Sequence, residues 1–237
     1  MDVQTLRRNL EACHVASSRE RRKLGRSLGH LAMTLEKADA LSTPEDITLA
    51  IEALAIGADV HTYPQRYHMS RARLMNRRRE VLGLSEPEIS VEKSIRIDVE
   101  AGALIIADPS LSRDMLFEAN RAHATMNEHG FFVVALGGDG AVRVRLRVHR
   151  SGPCEPQASE FRRLREATPE GVLKLGNNGV LVEGGGSKRL TLPIPPGDYR
   201  ICAYGLGLGR APECLILISP LTGTPPTPLH ETPELIL

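Results

Sequence analysis

Apolar residues in the first third of the chain recur at the three- and four-residue spacing of an amphipathic α-helix. The clearest stripes are Leu24, Leu28, Leu31, Leu35 and Ala38, followed by Ile47, Ile51, Leu54 and Ala58. The second stripe also has a marked start, because Thr43 can cap free amide groups and Pro44 fits the first helical turn. The spacing predicts four helices up to residue 85, which can bury their stripes either against each other or against the second half of the chain.

The period of the pattern changes in the second part of the chain. The segment GLSEPEISVEK combines Gly, Pro and charge, so we place a linker at 86–92. Beyond it, apolar and polar residues alternate as in a β-strand, first in SIRIDVE and ALIIADP and then in FFVVALGGDGAVRVRLRVHR, GVLKLGNNGVLVEGGG, LTLPIPPGDYRI and ECLILISP. We expect hairpins at Gly102 and at the GGDG turn, whose glycines tolerate positive φ.

These patterns predict an α+β protein with two domains. A helical bundle over 1–85 is followed, over 93–220, by an antiparallel β-sandwich or barrel-like domain. Two short helical pieces are expected inside the second domain, one over 110–129 and one around ASEFRRLREA. The Pro- and Thr-rich end, 221–237, is expected to form an extended tail or strap.

Composition narrows the class of protein. The 237 residues are 41% hydrophobic and 25% charged with a net charge of +1, which is typical of a globular protein without a global attraction for nucleic acid or anionic membranes. No stretch approaches the roughly 18 apolar residues of a membrane span, and the first residues lack the apolar core of a signal peptide. We therefore expect a cytoplasmic protein.

The four cysteines form no CxxC pair, which disfavours a zinc knuckle or a redox motif. Cys13, Cys154, Cys202 and Cys214 are expected to be buried thiols. Cys202 and Cys214 lie on segments that could be neighbouring strands, so a disulfide between them stays an alternative, although it would need an oxidising compartment.

The run GLGLG at 205–209 raises the question of a phosphate-binding loop. Such a loop places its glycines immediately before a helix, so that backbone amides converge on the anion. Here the glycines lead into the apolar stretch CLILIS, and the Lys-Ser/Thr of a P-loop is missing. The run is therefore expected to be the end of a β-ribbon.

The sharpest functional candidate is the stripe Arg143, Arg145 and Arg147. Strand alternation places the three guanidinium groups on one face, while the apolar residues between them point to the core. Such a face is tolerated when it is solvated or paired with acidic neighbours, and it can bind an acidic partner. The alternative is an ordinary solvated face of a sheet.

A second basic cluster lies in RYHMSRARLMNRRRE, where Arg71, Arg77 and Arg78 are the candidate contacts. A basic helix of this kind can bind nucleic acid. An exposed helix face with salt bridges to the rest of its domain is the alternative, and the scarcity of aromatic residues, 3% of the chain, favours it.

No catalytic motif stands at diagnostic spacing: GxSxG, HExxH and paired Cys/His motifs are missing. The nearest approach to a metal site is Asp108, Asp114, Glu118 and His123, which could hold an ion or simply begin a helix. His61 and His68 are separated by Pro64 and are expected to be satisfied or exposed. We expect a protein that is not an enzyme and that uses no cofactor or metal.

The succession IRIDVEAGALIIADP, GVLKLGNNGVLVEGG and LTLPIPPGDYRI resembles strand-rich bacterial proteins of unknown function, several of which accompany polymorphic toxins as immunity proteins. The shared features are a DP after the second strand and a PPGxYR near the end. The resemblance covers the second half, implies no active-site residues and implies recognition without turnover, in which a β platform occludes a cognate toxin. The alternative is a nucleic-acid-associated regulator that uses the basic segment 66–79.

Overall fold

The computed structural model describes residues 2–60, 65–100, 102–111, 131–207, 213–226, 232 and 235. Within them, helices come first and strands follow, which confirms the α+β class. The chain divides into two compact units. We call Met1–Glu86 with Glu155–Phe161 the helical unit, and Pro87–Cys154 with Arg162–Leu237 the strand unit.

The helical unit contains α1 (Val3–Val15), α2 (Ser18–Lys37), α3 (Pro44–Asp59) and α4 (Gln65–Val81). The predicted start of α3 is confirmed, because the Thr43 side chain accepts a hydrogen bond from the Asp46 amide at 3.1 Å and Pro44 opens the first turn. At the start of α2, the Glu20 carboxylate accepts from the Ser17 amide at 3.2 Å. Local side chains therefore satisfy amides that a helix leaves free at its first turn.

The helices α2 and α3 cross closely at a pair of glycines. A Cβ atom at Gly57 would lie 2.8 Å from the Cα atom of Gly29, and a Cβ atom at Gly29 would lie 2.5 Å from Cε1 of Tyr67. This crossing requires residues without side chains, because packed interiors leave no room for added atoms.

The segment Glu155–Phe161 returns to the helical unit after the chain has entered the strand unit. The buried Arg79 donates to the Glu155 carboxylate at 3.0 Å, and the Ala158 amide donates to the Glu86 carboxylate at 3.0 Å. The prediction had placed these residues in the domain over 93–220. Their contacts with the helical unit join residues 72 and 76 positions apart in the sequence.

The strand unit contains ten strands among the described residues. They are β1 (Ile89–Val99), β2 (Ala103–Ala107), β3 (Phe131–Ala135), β4 (Gly140–His149), β5 (Leu164–Ala167), β6 (Gly171–Leu175), β7 (Val180–Glu183), β8 (Arg189–Leu192), β9 (Gly197–Leu206) and β10 (Glu213–Pro220). The first sheet has the order β1-β4-β10-β9-β5, with β6 also paired to β9, and the second has the order β3-β2-β7-β8.

The first sheet is mixed, which corrects the prediction of an antiparallel domain. β10 is antiparallel to β9 but parallel to β4. The antiparallel pairing of β10 with β9 sets the direction of β10. With that direction, the other edge of β10 runs parallel to β4. Neither sheet closes on itself through the described strands, so they form no barrel, and the sandwich arrangement stays a prediction.

The turns predicted as hairpins carry the chain from one sheet to the other. Gly102, with φ 64°, supplies a turn between β1 and β2, and the GGDG stretch supplies one between β3 and β4, yet neither pair of strands is hydrogen-bonded together. These two turns are hydrogen-bonded to each other instead. The Leu136 amide donates to the Gly102 carbonyl at 2.6 Å, and the Gly102 amide donates to the Asp139 carboxylate at 2.7 Å. The hairpin predictions are therefore wrong, because turn residues reverse the chain without selecting a strand partner.

The hydrophobic core of the strand unit takes side chains from both sheets. Fully buried examples are Val144, Leu146 and Ile216 from the first sheet and Leu104, Ile106 and Val134 from the second. The described part of the predicted tail also contributes, because Leu235 is fully buried and its amide donates to the Ala135 carbonyl at 2.7 Å.

Three further predictions concern element boundaries. β1 begins at Ile89 and so includes the end of the predicted linker 86–92. The segment ASEFRRLREA forms a 3-10 helix over Ala158–Arg163 and then strand β5. Most of the predicted helix at 110–129 lies outside the described residues.

No helix in the described part of the chain has both the length and the apolar character needed to cross a membrane.

Candidate partner-binding face

Three strands of the first sheet bring the predicted arginine stripe next to acidic residues. On one side of β4, Glu92 lies opposite Arg147, Ser94 opposite Arg145 and Arg96 opposite Arg143. On the other side, β10 begins with Glu213 beside Arg143. We use the name arginine face for Glu92, Ser94, Arg96, Arg143, Arg145, Arg147, Arg163 and Glu213.

One end of the arginine face is a network of ion pairs. Arg147, 1% exposed, donates to the Glu92 carboxylate at 2.5 Å. The same carboxylate lies 3.7 Å from Arg145, which also reaches the Glu213 carboxylate at 3.0 Å. Arg163 contacts the second oxygen of Glu213 at 2.5 Å. Each glutamate therefore bridges two arginines.

The other end of the face carries an exposed pair of like charges. Arg96 and Arg143 are directly opposite each other, both are exposed, and neither forms an ion pair with a described residue. The Nε of Arg143 donates to the Ser94 hydroxyl at 3.1 Å. Like charges in a directly opposed cross-strand pair repel each other and destabilise a sheet, so an anion bound between the two arginines would be stabilising.

The three arginines of the predicted stripe differ in how far they are exposed to solvent. All three lie on one face, as the alternation indicated, but only Arg143 is exposed; Arg145 is half-buried and Arg147 is buried. Arg147 is thus buried in the sheet, and its predicted contact with a partner stays a prediction. The sequence reasoning missed Arg96, Glu92 and Glu213, because their proximity depends on strand register and on the long-range pairing of β10 with β4.

Half of the arginines of the basic helix α4 are paired with acids of their own unit. Three of its arginines form ion pairs: Arg73 with Glu36 at 2.6 Å, Arg77 with Asp39 at 2.6 Å and Arg79 with Glu155 at 3.0 Å. Of the predicted contacts, Arg71 and Arg77 are half-buried and Arg78 is exposed. Charges that are already paired contribute little to phosphate binding, so these contacts do not favour a nucleic-acid interface.

Asp108 is a structural carboxylate. It accepts hydrogen bonds from the amides of Ser110, Gly176 and Asn177 at 2.8, 2.6 and 2.9 Å, and from the side chains of Ser110 and Asn177 at 2.7 and 3.0 Å. Burial acts to raise its pKa, but the hydrogen bonds from Ser110 and Asn177 outweigh burial and hold the pKa well below its usual value. Asp108 thus ties the end of β2 to the turn after β6.

The other members of the predicted ion site, Asp114, Glu118 and His123, lie outside the described residues, as does His61. The described residues contain no group of three metal-ligating side chains. His68 is buried, and desolvation together with the neighbouring Arg71 lowers its pKa to about 3, so its ring is neutral near pH 7.

The PPGxYR segment also has a structural role. The Tyr199 hydroxyl donates to the Pro195 carbonyl at 2.7 Å, which closes the turn before β9. The Arg200 guanidinium donates to Glu170 at 3.3 Å and to the carbonyls of Thr222 and Thr224 at 3.1 and 2.5 Å. The motif therefore fixes a turn and the start of the C-terminal segment.

The first two residues of the glycine run, Gly205 and Leu206, end strand β9, which agrees with the predicted ribbon end for the described part of the run. Gly205 lies within β9 opposite Cys214, while 208–212 lie outside the described residues. All four cysteines are free and buried, which confirms that prediction. Cys202 lies opposite Leu217 rather than Cys214, and burial raises the pKa of the Cys214 thiol to about 12.

No family model matches the chain, and no curated protein matches it. Two solved structures are similar. ComJ from Bacillus subtilis, described as an inhibitor of the DNA degrading activity of NucA, has a TM-score of 0.43 and 14% identity, covering 58% of this chain and 100% of ComJ. A structure described as crocagin biosynthetic gene J has a TM-score of 0.40 and 14% identity, covering 56% of this chain and 99% of that one. Both TM-scores lie below 0.5, so neither likeness assigns a function to this chain.

Proposed function

We propose that this chain is a non-catalytic protein-binding module, and specifically an immunity protein that binds and occludes a cognate bacterial toxin through an acidic surface of the toxin. The observation that supports the proposal is the exposed, opposed pair Arg96 and Arg143. A carboxylate placed between them relieves their repulsion and forms charge-assisted hydrogen bonds with both.

The rest of the arginine face favours an acidic partner in two ways. It carries five arginines against two glutamates, so its local field attracts an acidic surface although the whole chain is nearly neutral. The glutamates are occupied by Arg145, Arg147 and Arg163, and therefore cannot also neutralise the exposed pair.

The backbone positions of the exposed pair are held by the sheet before any partner arrives. Arg143 lies on β4, which is paired on both sides, and its side chain donates to Ser94. A site that is already ordered loses less conformational entropy on binding. Two exposed arginines on a fixed backbone are suited to bidentate recognition of carboxylates.

The test begins with capture of partners of the tagged protein from its native host, with nuclease treatment and mass spectrometry of the bound material. We expect one stoichiometric protein. Binding of that protein is then compared for the wild type, for Arg96→Glu/Arg143→Glu and for Lys93→Glu, which makes the same type of charge change on the opposite face of β1. We expect the double variant to lose about tenfold or more in affinity and the control to change less than about twofold.

Two results would count against the proposal. Equal affinities of the wild type and the double variant, with the same salt dependence, would remove the arginine face as the binding surface. Bound material that disappears with nuclease, together with affinity that falls steeply with salt, would favour the nucleic-acid alternative at 66–79.

A further inference from the structure

The helical unit carries a groove that the arginine face does not involve. Its volume is about 450 Å³, and it lies where α1, the first turns of α3 and the end of α4 come together. Pro44, Leu49 and Leu82 supply apolar surface, Arg7 of α1 adds one cation and Arg78 of α4 adds another. Sites of roughly 300–1,000 Å³ are large enough to hold a few side chains of a ligand.

The two arginines of the groove differ from three arginines of α4. Arg7 and Arg78 are exposed and form no ion pair with a described residue, whereas Arg73, Arg77 and Arg79 each contact an acid. Glu45 also lines the groove, so the lining has two cations and one anion. The lining of the groove therefore carries a net positive charge, and no described acid forms an ion pair with either arginine.

Apolar surface is exposed beside these cations. Leu82, which lines the groove, is 44% exposed, and Val81 and Leu84, its neighbours in sequence, are 49% and 60% exposed. They are three of the four large apolar side chains with high exposure in the described part of the chain. Clustered exposed apolar residues mark interaction surfaces more often than scattered ones do.

We infer that this groove binds a short segment of a protein partner that presents a carboxylate side chain next to an aliphatic side chain. The carboxylate pairs with Arg7 or Arg78, and the aliphatic side chain packs on Leu49 and Leu82. Charge complementarity selects an acidic segment over a basic one, and the apolar lining selects an aliphatic neighbour over a polar one. This inference does not depend on the arginine face, which lies in the other unit.

The test uses the full chain and a fluorescein-labelled peptide, acetyl-Gly-Glu-Leu-Asp-Leu-Gly-amide, titrated with protein up to about 1 mM and followed by fluorescence anisotropy. Two comparison peptides replace the acids by Lys or the leucines by Ser. We expect saturable binding of the acidic, aliphatic peptide and binding weaker by about tenfold or more for both comparison peptides.

Matched variants locate the site. Arg7→Glu/Arg78→Glu is expected to weaken binding about tenfold or more, and Leu82→Ser several-fold. Arg8→Glu/Arg22→Glu makes the same charge change at exposed positions outside the groove and is expected to change affinity less than about twofold. Circular dichroism and thermal melting confirm that each variant is folded.

Three outcomes would overturn the inference: no saturable binding of the acidic peptide, equal losses in the groove and control variants, or equal binding of the lysine peptide. Self-association of the unliganded protein that is lost in Arg7→Glu/Arg78→Glu would assign the groove to a second copy of this chain instead. The Arg96→Glu/Arg143→Glu variant is expected to bind the peptide normally, so failure of this inference is distinguishable from failure of the proposed function.

Discussion

The helical and strand units differ in how far apart in the chain their contacts lie. In the helical unit, the most extensive packing joins α2 to α3 and α3 to α4, which are neighbours in sequence. In the strand unit, β1 pairs with β4, and β4 pairs with β10. The first kind of packing can be anticipated from local spacing, whereas the second depends on partners that no local pattern identifies.

The two units also use charge differently. In the helical unit, arginines of α4 pair one to one with acids. These pairs range from Arg77–Asp39, in which Asp39 is mostly exposed, to Arg79–Glu155, in which both side chains are buried. In the strand unit, Glu92 and Glu213 each bridge two arginines, and one of the two arginines on Glu92, Arg147, is fully buried. The Glu92 carboxylate, which is shared by two arginines of which Arg147 is buried, is therefore expected to matter more for stability than an exposed pair does.

The largest expected effect is loss of this shared carboxylate. Glu92→Ala removes the carboxylate to which the buried Arg147 donates and is expected to lower the free energy of unfolding by about 3–5 kcal/mol. Glu88→Ala is the matched control, because it removes an exposed pair with Arg150 at 3.1 Å and is expected to cost at most about 1 kcal/mol. Denaturant unfolding, with hydrogen exchange of each unit, measures both; equal losses would contradict the contrast between buried and exposed pairs.

The second effect tests a long-range tie in the strand unit. The Asp108 carboxylate accepts five hydrogen bonds, and Asp108→Asn replaces it by a neutral amide with a single acceptor oxygen. We expect this change to lower the free energy of unfolding by about 2–3 kcal/mol. Because the native pKa of Asp108 is lowered, its contribution is present above the ordinary carboxyl pKa and is lost as the pH falls toward the native value. The variant should therefore lose less stability in acid than the wild type does.

The control for this measurement is Asp98→Asn, since Asp98 is exposed and lies 4.0 Å from Lys188. Its acid unfolding curve is expected to match that of the wild type within error. A parallel change in both variants would show that Asp108 has no special contribution to the pH dependence.

The third effect tests the helical unit through its closest backbone contact. Gly57→Ala places a Cβ atom 2.8 Å from the Gly29 backbone and is expected to lower the free energy of unfolding by about 1–3 kcal/mol. Gly138→Ala, where nothing lies within 4 Å of the added atom, is expected to change it by less than about 0.5 kcal/mol. Hydrogen exchange should assign the first loss to the helical unit, and an unchanged stability of Gly57→Ala would show that the crossing adjusts.

The smallest effect concerns acid sensitivity of the helical unit. His68 is neutral in the folded state down to about pH 3, whereas in the unfolded chain it takes a proton near pH 6.5, so stability falls as the pH drops below 6.5. Between pH 6.5 and 5.5 we expect a loss of about 1 kcal/mol that His68→Leu removes. His14→Gln, at a half-exposed ring 2.9 Å from Glu52, is the control, and the same slope in all three proteins would contradict the assignment.

The candidate face was only partly visible in the sequence. Alternation indicated that Arg143, Arg145 and Arg147 share one face, and this is correct because the side-chain period of a strand is local. Exposure was not predictable, because it depends on Glu92 and Glu213, which lie 55 residues before Arg147 and 50 residues after Arg163. Arg96 was missed for the same reason, since only the register of β1 against β4 brings it opposite Arg143.

What the sequence determined by itself was local. Helical spacing with Thr43 and Pro44 defined the start of α3, and alternation with turn residues located the strands. Only the tertiary structure decided which strands pair, because Gly102 and the GGDG stretch permit a change of direction equally within one sheet or between two. The choice came from burial of both sheets' apolar faces in one core, and that burial is a property of the whole unit.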